Sequence, residues 1–153
     1  VLVEGCDTCR LLKTGGAEVI FQTEHWRVVL APDQGYLGRA YVTLLDHRGS
    51  LPELTISQIV DWHDVVIRYE GLVSEAFEAD VFNWGCLLNN AFQAADPRPH
   101  VHWHVRPRYS RTPSVDGVEY PDPQFGYHYD RRHQRVVTAE ALVSIGDMLR
   151  EYL

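Results

Sequence analysis

The sequence has no apolar run approaching the roughly 20 residues that a membrane-spanning helix needs. Its longest are short pieces such as VVLA at residues 28–31, so no membrane partner is expected. Cysteine is scarce, three in 153 residues, which is too few for a disulfide framework and suits a reducing compartment; cytoplasm is expected. Positive charge is short as well. A formal net charge of −7 argues against a general nucleic-acid binder, whose electrostatic footprint is basic. Repeats and low-complexity tracts are missing, and neither a signal peptide nor a transit peptide is recognisable. The start at Val1 without methionine is expected to reflect native residues lost from the front. What remains is ordinary globular material, 45% hydrophobic and 23% charged, expected to form one domain over residues 1–153.

The charge is unevenly spread. Residues 98–135 hold seven arginines against four acids, a net of +3, which leaves −10 on the rest of the chain. A solvated face is the plain explanation; a site for an anionic ligand is the sharper one. Along the chain, CDTCRLLKTGG reads as one or two helical turns stopped by the glycine pair Gly15–Gly16. EVIFQTEHWRVVLAP reads as two strands turning near Thr23 and Glu24, and RAYVTLLDH as a third. Thr55 and Gln58 form a capping box, and Ile56, Ile59, Val60, Val66, Ile67, Val73 and Phe77 recur at helical spacing, which predicts a long amphipathic helix to about Ala79. VFNWGCLLN and HVHWHVRP predict two more strands. Residues 107–135, with prolines at 107, 113, 121 and 123, are expected to be an irregular surface segment. Thr138 caps a last helix to about Tyr152. Strands on short links around one long helix predict an α+β fold with a mainly antiparallel sheet.

The stretch HVHWHVRPRY, residues 100–109, carries the chemistry. Side chains alternate across a strand, so His100, His102 and His104 share one face while Val101, Trp103 and Val105 take the other. Successive residues on a face lie about 6.5–7 Å apart, close enough for one small anionic group to touch two imidazoles. A neutral imidazole is a competent nucleophile near pH 7, and attack on phosphorus gives a phospho-histidine type adduct that water can open. The neighbouring ring can bind an oxygen or protonate a leaving group. Metal ligation is the rival use of such a pattern, although no Asp or Glu lies within the strand and the nearest one after it is Asp116.

The stretch His100 to Arg106 resembles the signature of the histidine-triad family, and the context HWRVVLAPDQGYLGRAYVTLLDH, FNWGCLLNN and PHVHWHVRPRY resembles its bacterial diadenosine tetraphosphate hydrolase-like members over most of the chain. Arg106 departs from the pattern, which ends there in an apolar residue. The resemblance implies a nucleotide-binding α+β fold, usually a homodimer, that cleaves at the α-phosphate of nucleotide esters, anhydrides or phosphoramidates, with a dinucleoside polyphosphate as a representative substrate. It implies His102 as nucleophile and His104 as the ring that contacts the phosphate or leaving group. Because a third histidine is kept where transferase branches carry glutamine, it favours hydrolysis. It places Asn89, with Asn90 as an equal candidate, beside the phosphate. The usual hydroxyl position before the triad is Pro97 here, so Arg98 is the expected substitute for phosphate binding, and Arg39 stands where many members have histidine.

Cys6 and Cys9 alone could be a zinc pair, a redox pair or inert thiols. The resemblance adds His47 and His100 and so implies a structural zinc held by Cys6, Cys9, His47 and His100. Cys86 is expected to be a buried core thiol, and His63 and Glu70 to pack at the edge of the long helix. His25, His128 and His133 fit no pattern. Two other functions use the same residues: a metal-dependent hydrolase or oxygenase with the histidines as ligands, and a nucleotide-binding regulatory module that turns over poorly.

Overall fold

The computed structural model describes residues 1–15 and 18–153. Strands β1 (Val19–Gln22), β2 (Trp26–Leu30), β3 (Ala40–Leu44), β4 (Val81–Gly85) and β5 (His102–Arg108) form one sheet in the order β1-β2-β3-β5-β4, with every neighbouring pair antiparallel. Among the described residues three α-helices accompany it: α1 (Asp7–Thr14), α2 (Ile56–Phe77) and α3 (Ala139–Arg150). The architecture is α+β with a mainly antiparallel sheet. Among the described residues no helix is long and apolar enough to cross a membrane.

Alternation along the strands sorts the two faces. Trp26, Val28 and Leu30 of β2 and Ala40, Val42 and Leu44 of β3 are almost fully buried and join Val65, Tyr69, Leu72 and Val73 of α2 in one core. Polar clamps fix the helix to the sheet. The indole N–H of Trp26 donates to the Gln58 carbonyl at 2.8 Å, and the Asp61 carboxylate accepts from Thr23 Oγ1 and the His25 N–H, both at 2.8 Å. The capping box at Thr55 and Gln58 forms as the sequence predicts, and Thr138 caps α3. Helix α1 ends at a left-handed Gly15; Gly16, the other half of the expected glycine stop, lies outside the described residues.

The helical stripe named from the sequence is corrected. Val73 and Phe77 face the core, but Ile56, Ile59, Val60 and Ile67 are 77%, 42%, 57% and 60% exposed. The buried face runs instead through Gln58, Val65, Tyr69 and Leu72. Both stripes are apolar, and periodicity alone does not say which one meets the sheet. His63 on the same helix is exposed, while Glu70 accepts from the Trp84 indole at 2.8 Å. Cys86 packs against the core as expected but is half-buried rather than buried.

Residues 107–135 also need correction as an irregular surface segment. Strand β5 continues to Arg108, and β6 (Ser114–Val115) pairs with β7 (Val118–Glu119) as a hairpin. The segment is stapled down by Arg108, whose guanidinium donates to both oxygens of Asp122, to Asn83 Oδ1 and to the carbonyls of Gln124 and Tyr127, at 2.7–3.1 Å. The two charged side chains are only 4% and 1% exposed. Removing one partner of a buried, hydrogen-bonded pair strands the other charge, at a cost of about 3–5 kcal/mol. Asp122→Ala should therefore lose about that much unfolding free energy in a urea titration. A loss below about 1 kcal/mol would contradict the buried pair.

Candidate functional site

The register of β2, β3 and β5 builds the site on the sheet face opposite α2. Tyr41 pairs with His104 and Thr43 with His102, while Val29 pairs with Tyr41 and Arg27 with Thr43. These are the off-core positions of each strand, so their side chains form rows across one face. Opposite His104 on the other side sits Gly85, which adds no side chain to the row. The His102 and His104 rings lie 5.0 Å apart between centroids, and Tyr41 meets His104 edge-on at 5.1 Å. Tyr41 and Thr43 escaped sequence reasoning; their signal is the alternation of β3, which becomes informative only once its register with β5 is known.

The hydrogen bonds assign the tautomers. A carbonyl oxygen only accepts, so His102 Nδ1 carries the proton it donates to the His100 carbonyl at 2.7 Å. Its Nε2 lone pair is left free. His100 Nε2 likewise donates to the Leu44 carbonyl at 2.7 Å, which turns the His100 Nδ1 lone pair toward the cysteines. His100 precedes β5 and lies apart from the other two rings in role: its Nδ1 is 3.6 Å from Cys6 Sγ and 3.3 Å from Cys9 Sγ.

Cys6, Cys9, His47 and His100 come together as expected from the resemblance, with one ligand atom of each within 4.8 Å of all the others. Cys9 Sγ lies 3.4 Å from His47 Nδ1. Zn–S bonds near 2.3 Å and Zn–N bonds near 2.0–2.1 Å give tetrahedral ligand–ligand edges of about 3.3–3.8 Å, and the nitrogen–sulfur distances fall in that range. Backbone N–H groups support the sulfurs: Cys9 N–H points at Cys6 Sγ and Val3 N–H at Cys9 Sγ, both at 3.4 Å. Cys6 achieves this as the N-cap of α1. Burial pushes its thiol above the ordinary value. The donor set is compatible with zinc.

Two cavities meet at the pair of rings. One, of about 260 Å³, is polar and takes in Asn89, Asn90, Arg98, His102 and His104. Asn89 and Asn90 start a short 3₁₀ helix after a left-handed Leu88, and Arg98 is ion-paired to Asp96 at 2.8 Å. The other, of about 510 Å³, is walled by apolar Leu12, Val29, Leu30 and Leu142, and again by His102 and His104. Burial, then the neighbouring His102 ring and the positive Arg106, Arg39 and Arg131, lower the pKa of His104 to about 4, so that ring is neutral at pH 7. An unfolded histidine titrates near 6.5. Between the two values the unfolded chain binds more protons, so stability is full above about 6.5 and falls as the pH drops toward 4. Melting temperatures recorded from pH 7.5 to 4.5 should decline across that window, and a flat profile would count against a buried neutral ring.

No protein-family model and no curated protein matches the chain. Solved structures do. A hypothetical histidine triad nucleotide-binding protein from Sulfolobus tokodaii superposes with a TM-score of 0.67 over 96% of this chain and 91% of its own, at 18% identity. The chain has the histidine-triad fold. A zinc-bound histidine-triad family protein from Mycobacterium smegmatis shares that fold at a TM-score of 0.60 and 19% identity, over 96% of this chain and 94% of the other. So does the diadenosine triphosphate hydrolase of Plasmodium falciparum, at 0.58 and 15% identity, over 88% and 75%. The strand that carries His102 and His104 here lies between β3 and the edge strand β4 of that sheet.

Proposed function

We propose that the chain belongs to the histidine-triad family and is a nucleotide hydrolase or nucleotidyl transferase that works through a covalent nucleotidyl-histidine. The observation that carries this is the hydrogen bond from His102 Nδ1 to the His100 carbonyl: it fixes the tautomer whose Nε2 is unprotonated, where the polar and apolar cavities meet. In this reading the apolar cavity takes the nucleoside, and Asn89, Asn90 and Arg98 hold the α-phosphate. Nε2 of His102 forms a bond to the α-phosphorus as the bond to the leaving group breaks and that group departs with the electron pair. His104, neutral and with no partner at its buried Nδ1, contacts the phosphoryl oxygen or the leaving group. Water then displaces His102 and releases the nucleoside monophosphate, so the ring returns unchanged.

We assign a structural zinc to Cys6, Cys9, His47 and His100. When bound it supplies no reactive water, because four protein ligands leave no open position; it fixes the backbone from which His102 takes its tautomer. The use of the triad itself as a catalytic metal site is disfavoured, since His102 and His104 join no group of three or more metal-ligating side chains among the described residues. The exposed stripe Ile56, Ile59, Val60 and Ile67 on α2 supports a homodimer. The three free cysteines support the cytoplasm.

The test is to incubate the protein with an adenylyl donor labelled at the α-phosphate, quench in alkali, and map the label by mass spectrometry. Label on His102 is expected. Tight nucleotide binding with no adduct and no turnover would instead indicate the regulatory module.

A further inference from the structure

Past His104, a third cavity of about 140 Å³ opens that His102 does not line; Arg39, Arg106, Arg131, Tyr129 and Asn90 do. Arg106 occupies the next position of the same strand face, about 6.5–7 Å beyond His104. It is only 8% exposed, and its guanidinium lies over the Tyr129 ring at 4.1 Å. Among the described residues no carboxylate pairs with Arg106 or with Arg131, whereas Arg39 is paired with Asp33. Three guanidinium groups therefore share this pocket with one nearby carboxylate. Buried charges are ordinarily paired, so the counter-charge for Arg106 has to come from outside the chain. Burial and the neighbouring Arg39 both push the Arg106 guanidinium below its ordinary value, as expected for a cation that lacks an anion.

We infer that the Arg39, Arg106 and Arg131 pocket receives a polyanionic leaving group, so that the substrates are nucleoside or dinucleoside polyphosphates rather than phosphoramidates or neutral esters. This rests on His102 attacking the α-phosphorus. The Nε2–phosphorus bond forms, the α,β-anhydride P–O bond breaks, and the departing phosphate chain keeps the electron pair as an anion bound by the arginines. Such a group needs less protonation to leave than an amine or an alcohol, which agrees with a neutral His104. Bidentate guanidinium donors suit phosphate oxygens, and the Tyr129 face holds Arg106 in place for them.

Inorganic tripolyphosphate reads the pocket by binding alone, whether or not the protein turns over. Calorimetric titration of the full chain should give saturable binding that Arg106→Leu weakens at least tenfold and Arg131→Ala at least threefold. Arg131 is exposed, so that variant folds even if Arg106→Leu does not. Arg132→Ala, a neighbouring exposed arginine paired with Asp130, should stay within twofold. Lack of saturable binding, wild-type affinity in both pocket variants, or an equal loss in Arg132→Ala would each overturn the inference. Binding as expected with no label on His102 would leave the pocket standing and remove the reaction assigned to it.

Discussion

His102→Ala is expected to lower nucleotide turnover by about four orders of magnitude or more, the size of loss seen when a covalent nucleophile is deleted. On the proposed mechanism the change removes the atom that bonds to phosphorus and little else. The ring makes one hydrogen bond inside the protein, to the His100 carbonyl, and it is partly exposed at the mouth of two cavities. The melting temperature should therefore move by no more than a few degrees, and the affinity for an unreactive nucleotide should hold within a few-fold. Steady-state rates with a dinucleoside polyphosphate, measured beside a binding titration, separate the two quantities. Retention of a tenth of the wild-type rate would end the case for His102 as nucleophile, because a ring that only orients the phosphate can be lost more cheaply.

Chelation, or Cys6→Ala, is expected to remove one zinc per chain and to lower the stability by several kcal/mol. Structural zinc in small fingers contributes about 10–16 kcal/mol of apparent binding energy that becomes folding energy. Here the sheet and α2 supply their own core, so only part of that is at risk. A loss of about 3 kcal/mol would lower the melting temperature of a chain this size by about 6–12 °C. Metal content and melting should be read together on wild type, Cys6→Ala and His102→Ala. The first variant should lose the metal and the second should keep it. Zinc that survives Cys6→Ala, or that leaves with His102→Ala, would place the ion elsewhere. Activity should fall in Cys6→Ala as well, since the His100 backbone that positions His102 is anchored through the cluster.

Much of the site was legible in the residues because strand alternation is a strict rule. His102 and His104 share a face as their spacing requires, and the cysteine pair lies where a tight helical start puts it, with Cys6 as cap. His100 was only half legible: its position followed from the alternation, while its turn toward Cys6 and Cys9 depends on a hydrogen bond to Leu44, 56 residues away. The two apolar stripes of α2 could not be told apart, because Ile59 and Ile67 match helical spacing as well as Val65 and Tyr69 do. The departure at Arg106 was visible, but its meaning came from Tyr129 and Arg131, brought back by a segment whose anchor, Arg108 on Asp122, leaves no pattern in the sequence. The off-core positions of β3 stayed silent for the same reason, since register is a property of two strands together.

That register makes the site fragile in a way its composition does not suggest. Deleting one residue inside Ala40–Leu44 would preserve every chemical group on β5, yet would rotate the remainder of β3 by half a turn. Tyr41 or Thr43 would then point into the hydrocarbon beneath the sheet, and valine or leucine would stand beside the imidazoles. The floor of the cleft is in this sense a matter of parity, and an even-numbered change in that strand should be survivable where an odd-numbered one is not.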